Sequence, residues 1–321
     1  AASDVYKRQF FIQPLTTGFG VTELIVKATP LILIGVGLSI GFKANVWNIG
    51  AEGQFTMGAI AGGGTALFLN TQESFLVLPA VLLMGILGGV VWGMIPAFLK
   101  TKFNANEILT SLMLSYVALL ILSYLVHGPW RDPGGYNFPE SEIFSDFAML
   151  PILLEGTRLN LGTGFALLSV LIIYILLSRT VLGYQFKVVG LAPAAAKHAG
   201  FDRAKLIWLS MIISGGLAGL AGISEVSGTI GQLLPSVSPG YGFTAIIVAF
   251  LGRLNPVGVL FAGLIMALTY IGGENAQIEI GLPAAVTGLF QGIILFYLLA
   301  CDVLARYRLR YKPFLKARDR E

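Results

Sequence analysis

Cysteine and histidine are almost absent from this chain: 321 residues hold one cysteine, Cys301, and two histidines, His127 and His198. A lone cysteine excludes an internal disulfide framework and a multi-cysteine metal centre. No metal-ligand spacing occurs, and no Gly-x4-Gly-Lys-Ser/Thr loop, so the chain carries no P-loop site for ATP. No nucleophile stands near a base in any recognisable constellation, which weighs against an enzyme. Charge is scarce as well. Only 12% of residues are charged, against about 25% in soluble domains. That leaves too little polar surface to cover a globule of this length in water.

What the sequence has instead is apolar length. Hydrophobic residues make up 55% of it and the mean hydropathy is +0.79. Apolar runs of about 20 residues recur, the length an α-helix needs to cross a bilayer. Backbone polar groups in lipid must be satisfied within the segment, so the runs are expected to be helices. They do not alternate as barrel strands would. The reading is an all-α transmembrane bundle with segments near 22–42, 52–70, 75–99, 107–126, 161–178, 205–226, 256–274 and 282–304. These make eight spans. A ninth run, 241–252, covers roughly 18 Å as a helix and reads as a re-entrant half-helix. Gly85, Gly89 and Gly93, and Gly215 and Gly219, recur four apart, a spacing that lets helices pack closely in membranes.

Topology follows from charge. Residues 179–204 hold Arg179, Lys187, Lys197 and Arg203, and the tail from Arg306 holds Arg308, Arg310, Lys312, Lys316, Arg318 and Arg320. Lys and Arg mark the cytoplasmic side. The 127–160 stretch is acidic, with Asp132, Glu140, Glu142, Asp146 and Glu155, and is expected outside. The same rule explains a pI near 9.1 without nucleic acid. The chain opens on Ala1-Ala2 without methionine, so residues 1–9 are read as non-native and a first helix is expected upstream.

Two stretches interrupt the apolar pattern. Asn45-Val46-Trp47-Asn48-Ile49-Gly50-Ala51-Glu52-Gly53-Gln54 joins two segments with almost no loop. Its amides and carboxylate are costly beside hydrocarbon, which marks a functional site. Pro235 to Thr244 precedes the half-helix. Interrupted segments in both halves point to a transporter built from repeats, with its path between them. Asn48, Glu52, Gln54, Tyr241 and Thr244 are the expected path-lining residues; a cytoplasmic turn and an external loop are the plainer alternatives. A third stretch, Val189 to Phe201, places Pro193 and Gly200 where a short helix outside the membrane begins and ends. It is either a docking helix or a plain connector. Glu225 and Glu274 sit at segment ends and Lys27 follows Glu23 by four; none is assigned a role in transport.

Together these stretches resemble the permease subunits of bacterial ABC importers in the branched-chain amino acid and simple-sugar permease superfamily. Above all they are similar to nucleoside-type permeases that work with a basic-membrane-protein-like lipoprotein. The resemblance rests on Ala28-Thr29-Pro30-Leu31, Trp47 to Gln54, Asn106-Glu107-Ile108, Val189-Gly190 with Ala194-Ala195-Ala196 and Ala199-Gly200, and Gly240 to Ile246. It implies an inverted-repeat, type II-like importer fold forming one permease domain over residues 1–321. It implies a second permease, a non-identical paralogue, in the same bilayer. Two cytoplasmic ATPase subunits would use the ATP, so the chain itself binds no cofactor. An extracytoplasmic lipoprotein would deliver solute to the 127–160 side. Gly190, Pro193, Ala194, Ala195, Ala196 and Gly200 would form the coupling helix that meets the ATPases. The expected protein is a multi-pass subunit of the bacterial cytoplasmic membrane, C-terminus inside, importing a nucleoside by alternating access. A simple-sugar permease and an ion-coupled carrier are the alternatives. Arg253 stands where that family more often has glycine, and the sequence offers no reason.

Overall fold

A computed structural model describes residues 12–281, 283 and 285–306. The tail beyond Arg306 and residues 1–9 lie outside that range.

The apolar runs fold as helices whose ends are set by local chemistry. Helix α1 (Gly18–Lys43) starts at Thr17, whose hydroxyl accepts from the Gly20 amide at 3.1 Å. Ser, Thr, Asp and Asn are favoured there because they satisfy an orphan amide of the first turn. Asn106 caps α4 (Glu107–His127) in the same way, accepting from Ile108 at 2.9 Å. Between them run α2 (Ala51–Phe68) and α3 (Val77–Phe103). Helix α3 stops at Asn104, which takes the left-handed conformation, φ 52°. Helix α5 (Gly162–Arg179) follows the 128–161 loop.

The segment expected as a cytoplasmic loop at 179–204 is mostly helical. It forms α6 (Val181–Leu191), capped by Thr180, and the six-residue α7 (Pro193–His198). Helix α8 (Arg203–Glu225) is capped by Asp202 and continues as a π turn, Val226–Ile230, that ends at Gly231 with φ 85°. The short run becomes α9 (Tyr241–Leu251), 11 residues long, or roughly 16 Å. It reverses through Arg253 and Leu254, at φ 52° and 55°, into α10 (Pro256–Ile280) and then α11 (Ala285–Arg306).

Six of these helices, among the described residues, are long and apolar enough to cross a membrane: α1, α3, α4, α5, α8 with its π turn, and α10 to Ile278. The other two apolar runs form α2 and α11. Glycines together with Glu52 and Gln54 lower the hydropathy of α2.

The layering is that of a membrane bundle. Helix α1 is the axis: its apolar window is 89% buried, against 22% for α3 and α4. Helix α3 exposes Leu83 and Val91, α4 exposes Leu109, Met113 and Leu120, and α5 exposes Leu171 and Ile175. Apolar faces of that extent suit lipid, not water. Small residues let the inner helices touch. A Cβ on Gly89 would overlap the Gly215 carbonyl, one on Gly58 would overlap Gly219, and one on Gly93 would come within 2.9 Å of the Met211 oxygen. The sequence spacing of these glycines therefore corresponds to direct backbone contact between α3, α2 and α8.

Candidate functional site

The two interrupted segments meet inside the bundle. Helix α2 begins at Ala51 and α9 at Tyr241, and neither helix has a side-chain cap of its own. Glu52, in the first turn of α2, reaches across instead. Its carboxylate accepts from the Gly242 amide at 2.6 Å. A Cβ on Gly242 would come within 2.5 Å of the Glu52 Cα, so only glycine allows the two helix starts to abut. Each helix N-terminus carries about half a positive charge. One carboxylate between two of them is the arrangement that offsets both.

Ser238 shapes the entry to α9. Its hydroxyl oxygen accepts from Gly240 at 3.1 Å and Tyr241 at 3.0 Å. Tyr241, 1% exposed, is wedged edge-on between Phe55 and Tyr270, with ring centroids 6.0 and 5.6 Å away. Thr244 faces the Tyr270 hydroxyl at 2.8 Å and donates to Gln291 Oε1 at 3.1 Å. Gln291 in turn donates to Thr269 at 3.4 Å. The sequence reading missed Thr269, Tyr270 and Gln291. The signal for them was polarity inside otherwise apolar helices.

Asn48 and Gln54 form a separate closed pair. The Asn48 amide donates to Gln54 at 2.8 Å and to Ser214 of α8 at 2.9 Å, and its oxygen accepts from Gln54 at 3.1 Å and from the Gly50 amide at 3.1 Å. Ser111 and Ser115 of α4 accept from the Ile49 and Gly53 amides. Trp47 packs against both Phe42 and Phe250, at 5.2 and 5.7 Å, and those two rings stack on each other at 5.1 Å. The chain break at 44–50 is thereby tied to α1, α4, α8 and α9. All five residues expected at the path are buried, with Glu52 and Asn48 each 2% exposed. Glu52, Tyr241 and Thr244 come together at one junction, and Asn48 and Gln54 beside it.

The 190–200 residues gather at one end of the bundle. Gly190 ends α6 against the start of the break: a Cβ there would overlap the Lys43 carbonyl. Pro193 opens α7, Ala194 and Ala195 are exposed, and Ala196 is buried. Gly200 takes φ 76° just past the helix, where Phe201 donates from its amide to the Ala196 carbonyl at 3.0 Å, a helix-closing arrangement that favours glycine. An open groove lined by Val189, Pro193, Ala196, Lys197, Phe201 and Arg203 lies alongside.

At the opposite end, four charged residues form two ion pairs. Arg158 holds Glu23 through two donors, Nε to one carboxylate oxygen at 3.0 Å and the terminal Nη2 to the other. The Glu23 hydrogen bonds raise the Arg158 pKa further above its ordinary value. Lys27 bonds Glu274 at 2.8 Å rather than only reaching outward past its own helix.

Residues 20–299 match the profile of the family described as branched-chain amino acid transport system / permease component. The chain belongs to this permease family. The glucose ABC transporter permease protein of Haloferax volcanii is 38% identical to this permease over 93% of the present chain and 80% of its own. The guanosine ABC transporter permease protein of Bacillus subtilis is 32% identical over 91% and 82%. A solved structure described as an inward-facing metal-chelate-type ABC transporter has the same fold, with a TM-score of 0.51 at 19% identity over 87% of this chain and 85% of that one. The protein is an ABC transporter permease embedded in a membrane. Membership implies separate ATPase subunits and a solute-binding protein as partners.

Proposed function

We propose that this permease imports a small uncharged polar solute, a nucleoside, across the bacterial cytoplasmic membrane by alternating access. The observation that carries the reading is the junction of two broken helices at Glu52 and Gly242. Interrupted helices inside a membrane protein are where solute pathways run. Glu52 already occupies the positive ends of both helices, so neither dipole is left for an anionic solute. Hydroxyl and amide groups of Thr244, Tyr270 and Gln291 suit a ligand that hydrogen-bonds without charge. The guanosine permease relative supports a nucleoside. The glucose permease relative supports a second reading, a simple sugar.

In this reading residues 1–321 form one domain with eight spans and the α9 half-helix. The C-terminus and α7 face the cytoplasm, and the 127–160 loop meets the solute-binding lipoprotein. A second, non-identical permease completes the membrane unit. The ATPase subunits grip α7 through Pro193, Ala194, Ala195, Ala196 and Gly200, and Gly190 passes their motion to the break beside Asn48. A bound solute shifts such an equilibrium only through different affinities for the two states.

The test is reconstitution of the complete transporter in vesicles with its binding protein. Uptake of a nucleoside but not glucose, driven by ATP, is the expected result; the reverse selects the sugar reading. Solute uptake by this chain with no ATPase subunit present would end both.

A further inference from the structure

Five charged side chains from four segments converge at the end of the bundle that carries the 128–161 loop. Glu23 and Lys27 come from α1, Arg158 from the loop, Glu225 from α8 and Glu274 from α10. Arg158 pairs with Glu23, and Lys27 with Glu274. Glu225 has no such mate. It is 8% exposed, and among the described residues no hydrogen bond or ion pair reaches it. Three carboxylates face two cations, which leaves one negative charge in excess. A carboxylate taken out of water without a direct partner is strongly disfavoured.

A small cavity opens beside it. Thr29, Asn160, Thr163, Ser224, Glu225 and Thr229 line it, and it has room for about one water-sized particle. Ser224 is 3% exposed, and its hydroxyl oxygen is buried without any hydrogen-bond partner. An orphaned buried hydroxyl is uncommon and calls for a ligand or water. The Thr29 and Thr163 hydroxyls on the same wall bond each other at 3.1 Å, and Thr29 donates to the Ile25 carbonyl, which leaves their oxygen lone pairs as the groups that could meet an ion. The polar groups of this wall are hydroxyls, one amide and one carboxylate, an oxygen set that suits hard cations. A divalent ion commonly takes several carboxylates, and among the described residues no group of three His, Cys, Asp or Glu is placed to hold one.

We propose that this cavity binds a single monovalent cation of sodium size, with Glu225 supplying the charge and Ser224 an oxygen ligand. The ion balances the excess charge and knits α1, α5 and α8 together at that end of the bundle.

The experiment is thermal unfolding of the purified, assembled transporter in sodium chloride and in choline chloride at equal ionic strength. The expected result is a saturable rise of a few degrees in sodium, abolished in Ser224→Ala and in Glu225→Gln. Equal midpoints in the two salts for the unaltered protein would overturn the proposal and leave water, or a protonated Glu225, in the cavity. Should Glu225→Gln not assemble, Ser224→Ala and Thr163→Val carry the test: a full sodium response in both overturns it, and a weakened one supports it.

Discussion

The carboxylate of Glu52 accepts from the backbone amide of Gly242 at 2.6 Å, across 190 residues of sequence. This bond joins the start of α2 to the start of α9. A hydrogen bond to a charged group contributes about 1.5–3 kcal/mol. Glu52→Gln keeps an acceptor but loses the charge that faces two helix dipoles. The expected outcome is a drop in stability of about 1–3 kcal/mol, with Glu52→Ala worse than Glu52→Gln. Thermal unfolding of the assembled transporter measures it. Equal stability of all three proteins would show the bond to be incidental.

Asn48→Asp tests the buried amide pair. The Asn48 nitrogen donates to Gln54 and to Ser214, 2% exposed, and aspartate cannot donate. Two acceptors lose their donor and a charge is buried, so a loss of several kcal/mol is expected, on the order of 3. Asn48→Asp is expected to fail to assemble, and a fluorescence-detected size-exclusion profile checks this. A normal profile would mean that water replaces both bonds.

Gly190→Val separates coupling from folding. Its added carbons meet the Lys43 carbonyl and the backbone of Ala44, so the α6–α7 unit must shift while the bundle interior stays packed. Retained assembly with the ATPase and loss of solute-stimulated ATP hydrolysis are expected. Stimulation equal to that of the unaltered protein would remove Gly190 from the transmission path.

The two ion pairs differ in what each leaves behind. Arg158→Gln strands Glu23, 10% exposed and held by two hydrogen bonds, whereas Glu274→Gln strands Lys27, 18% exposed and held by one; the removed partners are equally open, at 52% and 51%. Exposed pairs contribute about 0–1 kcal/mol, while an abandoned buried charge costs more. Arg158→Gln is expected to lower the unfolding midpoint more than Glu274→Gln. The opposite ranking would refute the assignment.

Arg253→Gly addresses a position at which the resemblance leads to an expectation of glycine. Arg253 has φ 52°, a conformation that costs a side-chain-bearing residue about 1 kcal/mol and glycine nothing. The substitution is expected to leave stability unchanged or raise it slightly, because glycine's greater freedom when unfolded offsets part of the gain. A clear loss of stability would show that the arginine side chain has a role in place.

Sequence alone determined the apolar helices of the bundle, though not α6, which lies where a loop was expected. Length, hydropathy and the lack of charge forced each apolar run to satisfy its own backbone hydrogen bonds, and in the structure Thr17, Asn106, Asp202 and Asn255 cap the helices where they begin. It also marked the two breaks, because glycine, amides and a carboxylate are conspicuous inside hydrocarbon. What it left open was how those pieces pair. Glu23 and Lys27 looked like neighbours on one helix, yet their partners are Arg158 and Glu274. Glu52 showed no partner in the sequence, because its partner is a backbone amide, which every residue but proline carries. Asn48, Glu52 and Gln54 looked alike as polar residues, and only packing sorted them into a closed amide pair and a bridge between two helix ends. Local chemistry sets where a helix starts and stops; which groups then meet is decided by the three-dimensional approach of glycine-lined helices, and that distance is not written in any one segment.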